Sequence, residues 1–302
     1  MKAAADRRPP HLEITPREIR FDYRDALARE RCWHNHDPIW SHLINALQAT
    51  FPEGERFFID AAMDAKQVLT ARERWDERWD QDLRAFIRQE ASHGQQHRLW
   101  TDALIAAGYT RMAAYDEQER RLRLWSRRHL SARLRLSITT ACEHYTASLA
   151  YFIAEVRPEL ITESNSPFGE LLLYHAIEEV EHKSVCFDLY QALPGSFALR
   201  MVGLSLATID LAFHVAVRLR YLMKEDGLWD RSHRRALRKL LWARGGVIRA
   251  LWPRIRAYMS PTFHPWQTDE RGRVEDVFGA IRSRAGIPPF QSRSAPTTSP
   301  GR

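Results

Sequence analysis

Cysteine, glycine and proline are all scarce in this chain. Its three cysteines, Cys32, Cys142 and Cys186, have no metal-type spacing. That argues against a thiolate metal site or a disulfide framework and for a reducing compartment, with the thiols as small core residues. Thirteen glycines and fifteen prolines are sparse through the middle of the sequence. No run alternates apolar and polar residues as a half-buried strand would. The opening stretch MKAAADRRPPH lacks the apolar core of a secretory signal, so a cytoplasmic location is expected. What remains is 302 residues, 44% of them hydrophobic, enough to bury one large helical core. The expected fold class is all-α.

Within that helical pattern one constellation carries the chemistry. Glu55, then Glu90-x-x-His93, then Glu143, then Glu179-x-x-His182 follow in order, each in a stretch that reads as helix. Glu, Glu-x-x-His, repeated, is what a ferritin-like four-helix bundle needs to hold two transition-metal ions in its core. Glu55 and Glu90 are 35 residues apart and Glu143 and Glu179 are 36 apart. Each half therefore reads as one helical hairpin that crosses the site twice.

The local signals agree with that frame. Asp37-Pro38 pairs an N-cap with proline at the first helical position, and the helix it opens runs toward residue 69 with a kink at Pro52. Leu43, Leu47, Phe51, Glu55, Phe58 and Ala62 share one face, which puts Glu55, not Glu53, on the inside. Helices over about 77–107, 131–157 and 168–192 follow, and the charged 109–130 stretch is long enough to cross between two hairpins. The boundaries expected are a flexible N-terminus over 1–16, a metal-binding bundle over 17–195, a helical extension over 196–265 and a mostly irregular tail over 266–302.

Glu90 and His93 lie ~60° apart around a helix axis, with His97 one turn further along the same face. A carboxylate on an apolar face is costly to bury without a cation or partner. A single Glu-x-x-His reads most simply as a buried polar network of Glu, His and Arg. Two of them, with two further glutamates on apolar stripes at matching intervals, favour metal. On the last helix His175, Glu179 and His182 share a face and Glu178 borders it, so the repeat of the spacing selects Glu179. His175 and His97 exceed a minimal six-ligand set and read equally well as hydrogen-bonding support or ordinary buried histidines. His97, Glu178 and Asp188 are the candidates for orienting ligands.

Mixed carboxylate and imidazole donors suit Fe or Mn and admit Zn. Four carboxylates also stabilise higher metal oxidation states. The leading expectation is therefore an O2-dependent oxidase or oxygenase with two metal ions, Fe first, and an external electron donor. The alternative is a metal-dependent hydrolase using a metal-bridging hydroxide, and a third reading is non-catalytic iron binding.

The blocks Phe51-Pro52-Glu53-Gly54-Glu55-Arg56-Phe57-Phe58, Gln89-Glu90-Ala91-Ser92-His93-Gly94-Gln95-Gln96-His97, Cys142-Glu143-His144-Tyr145-Thr146 and His175-Ala176-Ile177-Glu178-Glu179-Val180-Glu181-His182-Lys183 resemble a bacterial family of predicted metal-dependent hydrolases. The likeness runs over about 17–265 and includes Phe263-His264-Pro265-Trp266. The ligand pattern also resembles di-iron carboxylate oxygenases of the arylamine N-oxygenase type, which carry a histidine four residues before the last Glu-x-x-His glutamate. His175 matches that position. The resemblance implies seven ligands: Glu55, Glu90, His93, Glu143, His175, Glu179 and His182. Amine substrates do not carry over with it.

The C-terminal third differs in character. From Met201 to Leu219 the chain is almost wholly apolar, broken by Asp210 and His214. That is borderline for a membrane span, and an aspartate in mid-span is expensive. A helix packed on the bundle is the leading expectation, ahead of a membrane-surface contact or an entrance for a hydrophobic substrate. Between Arg218 and Arg256 twelve Lys/Arg face three acids, which accounts for the net charge of +7. This basic stretch with Trp242 and Trp252 suits peripheral contact with anionic lipid. It contains no nucleic-acid motif, so RNA is disfavoured. The expected partner is a small, hydrophobic substrate, with a homodimer left open.

Overall fold

The computed structural model describes residues 13–267, 271–284, 286–287 and 291–292. The expected flexibility of residues 1–12 and most of the tail from 285 onward lie outside the described residues. The chain begins with a two-residue strand β1 (Arg17–Glu18), then α1 (Tyr23–Arg29), α2 (Pro38–Gln48), α3 (Phe51–Ala71), α4 (Trp79–Ala106), α5 (Met112–His129) and α6 (Ala132–Glu155). It continues through α7 (Glu159–Thr162), α8 (Phe168–His182), α9 (Val185–Ala192), α10 (Phe197–Glu225), α11 (Arg231–Trp242), α12 (Val247–Tyr258) and α13 (Arg271–Arg284) to a second short strand, β2 (Gln291–Ser292). β1 and β2 pair antiparallel; the other elements named among the described residues are helices.

α3, α4, α6 and α8 form the central bundle, with α3 packed on α4 and α6, and α8 packed on α6 and α4. α5 crosses outside α3, α4 and α6, the path expected of the 109–130 crossover. The Asp37 carboxylate caps α2 by accepting from Ile39 N at 2.8 Å and Trp40 N at 3.1 Å. Pro52 does not kink one long helix. It lies in the first turn of a new one, where a missing N–H costs nothing, and residues 49–50 separate α2 from α3. The last bundle helix is likewise two pieces: Lys183 and Ser184 form a turn between α8 and α9.

Four hydrophobic clusters of described residues hold the bundle, and three bear on the site. One is aromatic: Tyr23 stacks on Trp100 with centroids 5.6 Å apart, Trp33 stacks on Phe168 at 4.7 Å, and both indoles donate to Asn45 Oδ1 at 3.1 Å. Another gathers Phe58, Leu69, Phe86, Leu136 and Leu189. A third cluster includes Phe278 and Ile281 of α13. α13 packs on α6 and α8, so the region expected to be irregular contributes a helix to the core.

α10 packs along α6 and α2. Gly203 permits this: a Cβ there would run into Ser137 Oγ and stand 2.5 Å from its carbonyl oxygen. By length and composition α10 is the one helix among the described residues able to cross a membrane. Its C-terminal half, however, buries Arg218 and His214 in a polar cluster with Glu119 of α5, as a helix packed on the bundle does. α11 has no buried residue.

Candidate metal centre

The central helices bring all seven candidate ligands together. Glu55 comes from α3, Glu90 and His93 from α4, Glu143 from α6, and His175, Glu179 and His182 from α8. None is more than 7% exposed. α3 and α4 approach closely because residue 94 is glycine: a Cβ there would sit 3.1 Å from Glu55 Oε2. His182 Nε2 lies 3.1 Å from Glu90 Oε1, 3.4 Å from Glu143 Oε2 and 3.4 Å from Glu179 Oε2. His175 Nε2 lies 2.7 Å from Glu179 Oε1 and 3.8 Å from Glu55 Oε1. His93 Nδ1 is 3.8 Å from Glu179 Oε1 and 3.9 Å from Glu90 Oε1.

Three overlapping groups in this cluster could hold a metal ion: Glu55 with His93 and His175, Glu90 with Glu143 and His182, and Glu90 with His93 and Glu179. The donor atoms of each group lie within 4.8 Å of one another. Glu90 and His93 belong to two groups each, so the positions are adjacent. Among the described residues, both carboxylate oxygens of Glu55, Glu90 and Glu143, together with His182 Nε2, have no hydrogen-bond partner. Native interiors rarely leave buried polar atoms unpaired, and seven in one ring fit a site built for cations.

The electrostatics carry the same message. Burial pushes the Glu55, Glu90 and Glu143 carboxyls up, with neighbouring carboxylates adding to the effect. Without a cation the protein can keep these groups inside only by protonating them. Glu179 and His182 form an internal ion pair instead. Although burial opposes both charges, each holds the other ionised, so the acid shifts down and the base up. Burial and neighbouring imidazoles keep His93 and His97 well below the usual histidine range. They are neutral, as a metal ligand or hydrogen-bond acceptor must be.

Three of the imidazoles, His182, His97 and His175, are oriented by hydrogen bonds from behind. Gln89 Nε2 donates to Glu181 at 2.9 Å and to the Thr15 carbonyl at 3.3 Å, so its oxygen is left to accept from His182 Nδ1 at 2.8 Å. Nε2 is therefore the nitrogen turned inward. Gln48 Nε2 donates to the Asn45 carbonyl at 3.4 Å, which leaves Gln48 Oε1 to face His97 Nδ1 at 3.4 Å. His97 Nε2 then meets His175 Nδ1 at 3.0 Å. His97 thus supports His175, and both rings lie against the edge of Phe51. His93 Nε2 faces Glu178 Oε2 at 3.0 Å, while Glu178 Oε1 accepts from Arg17 N at 3.0 Å and Nη1 at 3.2 Å. Glu178 turns outward to this pair and Glu179 inward to the ring.

Asp188 does not orient a ring of the centre. It accepts from Ser184 Oγ at 2.9 Å and faces His264 Nε2 at 2.9 Å, because the turn at Lys183–Ser184 changes the register assumed for a continuous helix. Arg17, Gln48, Gln89 and Thr146, whose hydroxyl donates to Glu179 Oε2, have roles here that sequence reasoning did not assign. Only Gln89 carried a signal, as the immediate neighbour of Glu90.

A cavity of about 420 Å³ opens beside the ring between α3, α5, α6 and α10, with Thr146 in its wall.

Fold and site together define a helical bundle with buried His/Glu groups able to hold metal. The chain belongs to the family of predicted metal-dependent hydrolases, whose model matches residues 15–269. Neither a curated protein nor a solved structure matches the chain.

Proposed function

We propose that this protein is an enzyme with a dinuclear metal centre of ferritin-like type, held by Glu55, Glu90, His93, Glu143, His175, Glu179 and His182. The observation that carries the reading is the ring of buried carboxylate oxygens without a hydrogen-bond partner on Glu55, Glu90 and Glu143. Four carboxylates balance the charge of two divalent cations, so a loaded centre would be nearly neutral and tolerable at this burial. Oxygen and imidazole donors without thiolate suit Fe or Mn and admit Zn.

Membership of the hydrolase family supports hydrolysis as the first reading. When bound, a metal pair supplies Lewis acidity and lowers the pKa of water to ~7. The protein's own part is to orient and to exclude. Gln89 and His97 hydrogen-bond the imidazoles of His182 and His175, Glu178 lies 3.0 Å behind that of His93, Thr146 fixes Glu179, and Phe51 and Phe86 pack against the rings of His175 and His182. The second reading, O2-dependent oxidation of a hydrophobic substrate, is favoured by the four-carboxylate, three-imidazole donor set and the adjoining apolar cavity.

The deciding experiment loads the purified protein with Fe, Mn or Zn, counts the bound metal, and assays ester hydrolysis without air and O2 uptake with a reductant. About two ions per chain with anaerobic turnover is the expected result. Iron-specific O2 consumption without hydrolysis would transfer the assignment to the oxygenase reading. Failure to bind any metal would return these residues to a buried polar network.

A further inference from the structure

We propose that the cavity beside the centre binds the uncharged hydrocarbon chain of an amphiphilic substrate, which enters between α5 and α10 and presents its reacting end at the Thr146 wall. The inference deepens the catalytic reading above and rests on it. The size is suitable: about 420 Å³ falls within the ~300–1,000 Å³ of small-molecule sites. The wall is mostly apolar and includes Leu47, Phe57, Phe58, Ile138 and Leu149.

Charge selects the kind of occupant. The charged residues of the inner wall already have partners. Glu53 meets Arg98 and Arg123, Arg123 also meets Asp60, Glu119 meets Arg218 at 2.8 Å, and Asp210 faces His214 at 3.5 Å. Asp210, however, has a side chain 57% exposed and a histidine for its neighbour, so its charge stands at the mouth and disfavours an anion there. Among the described residues the inner wall leaves no charge over, and the part of the ligand that fills it is neutral.

Continuity ties the cavity to the centre. Thr146 donates to Glu179 Oε2, and the lining residues Gly54 and Cys142 directly precede Glu55 and Glu143. Phe51, also in the wall, packs edge-on against His175 with centroids 5.2 Å apart. A molecule lying in the cavity is thus one side chain away from the candidate ligands.

The mouth completes the case. Large exposed hydrophobic residues are normally scattered. Here Leu122, Trp125, Leu206, Ile209 and Phe213 are exposed and all line this one cavity. Ile209 and Phe213 are 68% and 56% exposed, which makes them the natural place to interfere with entry without disturbing the core.

The test titrates the full-length protein, metal-loaded and chelated, with cis-parinarate, whose fluorescence rises in apolar surroundings, and competes it with 1-hexadecanol. Saturable binding of about one probe per chain, displaced by the neutral alcohol, is expected, with Ile209→Glu and Phe213→Glu weakening it at least about tenfold at unchanged metal content. Trp242→Glu, an exposed change on α11, should leave binding intact. Absence of binding, or equal binding by the mouth variants, would overturn the proposal. So would a dimer that dissociates on Ile209→Glu and binds no probe, since that assigns the patch to a second copy. Metal content is read separately. Lost probe binding with metal retained refutes the chain site alone. Chain binding by protein that never takes up metal would support the chain site and refute the catalytic reading beneath it.

Discussion

Glu53 and Glu55 lie two residues apart on α3 and are 4% and 2% exposed, yet their surroundings are opposite. Glu53 faces the α5 side, where Arg98 Nη2 meets one oxygen at 3.0 Å and Arg123 Nε the other at 2.9 Å. Asp60, Asp64 and Asp116 extend that side into a ladder of alternating charge with Arg127 and Arg135. Glu55 faces the bundle axis, where neither oxygen has a hydrogen-bond partner among the described residues and the nearest charged neighbours include other glutamates. The same side chain at the same depth is structural in one direction and unfinished in the other. Burial alone therefore says little about a carboxylate's purpose; whether its charge is answered by the protein says much more.

The sharpest way to break that comparison is to neutralise each glutamate in turn. Glu55→Gln should cost metal binding outright and lower activity on the order of a thousandfold, the several kcal/mol a bound metal supplies to a reaction. It should leave the chelated protein within about 1 kcal/mol of the parent, because the Glu55 carboxyl is already pushed toward its neutral form. Glu53→Gln should do the reverse, keeping full metal content while destabilising the fold by about 1–3 kcal/mol through two weakened charged hydrogen bonds. Metal analysis and denaturant midpoints of chelated protein read both. If Glu55→Gln unfolds the chelated protein and Glu53→Gln releases metal, the roles are misassigned.

Much of this contrast was readable from the sequence, because helical periodicity fixes directions. Leu47, Phe51, Glu55, Phe58 and Ala62 recur on one stripe, and a wheel separates Glu55 from Glu53 without coordinates. The doubled Glu-x-x-His spacing marked α4 and α8 for the same reason. What could not be read depends on long-range contact or on breaks in the helix. Arg17 reaches Glu178 across 161 residues, and no local pattern encodes that. The turn at Lys183–Ser184 ended the wheel argument before Asp188. Pro52 reads as a kink from sequence, since proline's cost inside a helix and its tolerance in a first turn look alike until the preceding residues are placed. α13 is not legible in the sequence because its polar and charged residues outnumber its apolar ones.

A smaller effect sharpens the comparison one layer out. Glu178 is buried like Glu55 but half answered, through Oε1, by the Arg17 backbone and guanidinium. Burial raises its pKa to about 7 and Arg17 opposes the shift. Its remaining oxygen faces His93 Nε2, so it should tune a ligand without being one. Glu178→Gln is expected to weaken metal binding about 10–100-fold, as loss of a group behind a metal-bound histidine does, with stoichiometry unchanged at saturating metal. Competition with a chelator of known affinity measures this. A variant that never reaches the parent's stoichiometry would make Glu178 a ligand in its own right.

Glu119 lies between the two extremes and gives the smallest expected effect. Its carboxylate meets Arg218 Nη2 at 2.8 Å, with His214 Nδ1 at 3.4 Å, while Asp210 and Asp116 add negative charge nearby. Burial is the largest influence and carries its pKa to about 8, with Arg218 only partly opposing. A folded-state pKa above the ordinary value means that the protonated form is favoured by folding. The resulting stability is fully present below the ordinary carboxyl pKa of ~4.3 and is lost as pH rises through about 8. Between about pH 7 and pH 9 this one group should cost the fold ~1 kcal/mol, and Glu119→Gln should remove that part of the slope. Denaturation midpoints of parent and variant across the range isolate it, because groups at the metal centre titrate alike in both. Parallel curves would mean that Arg218 answers Glu119 fully, which would put it with Glu53 among the paired carboxylates.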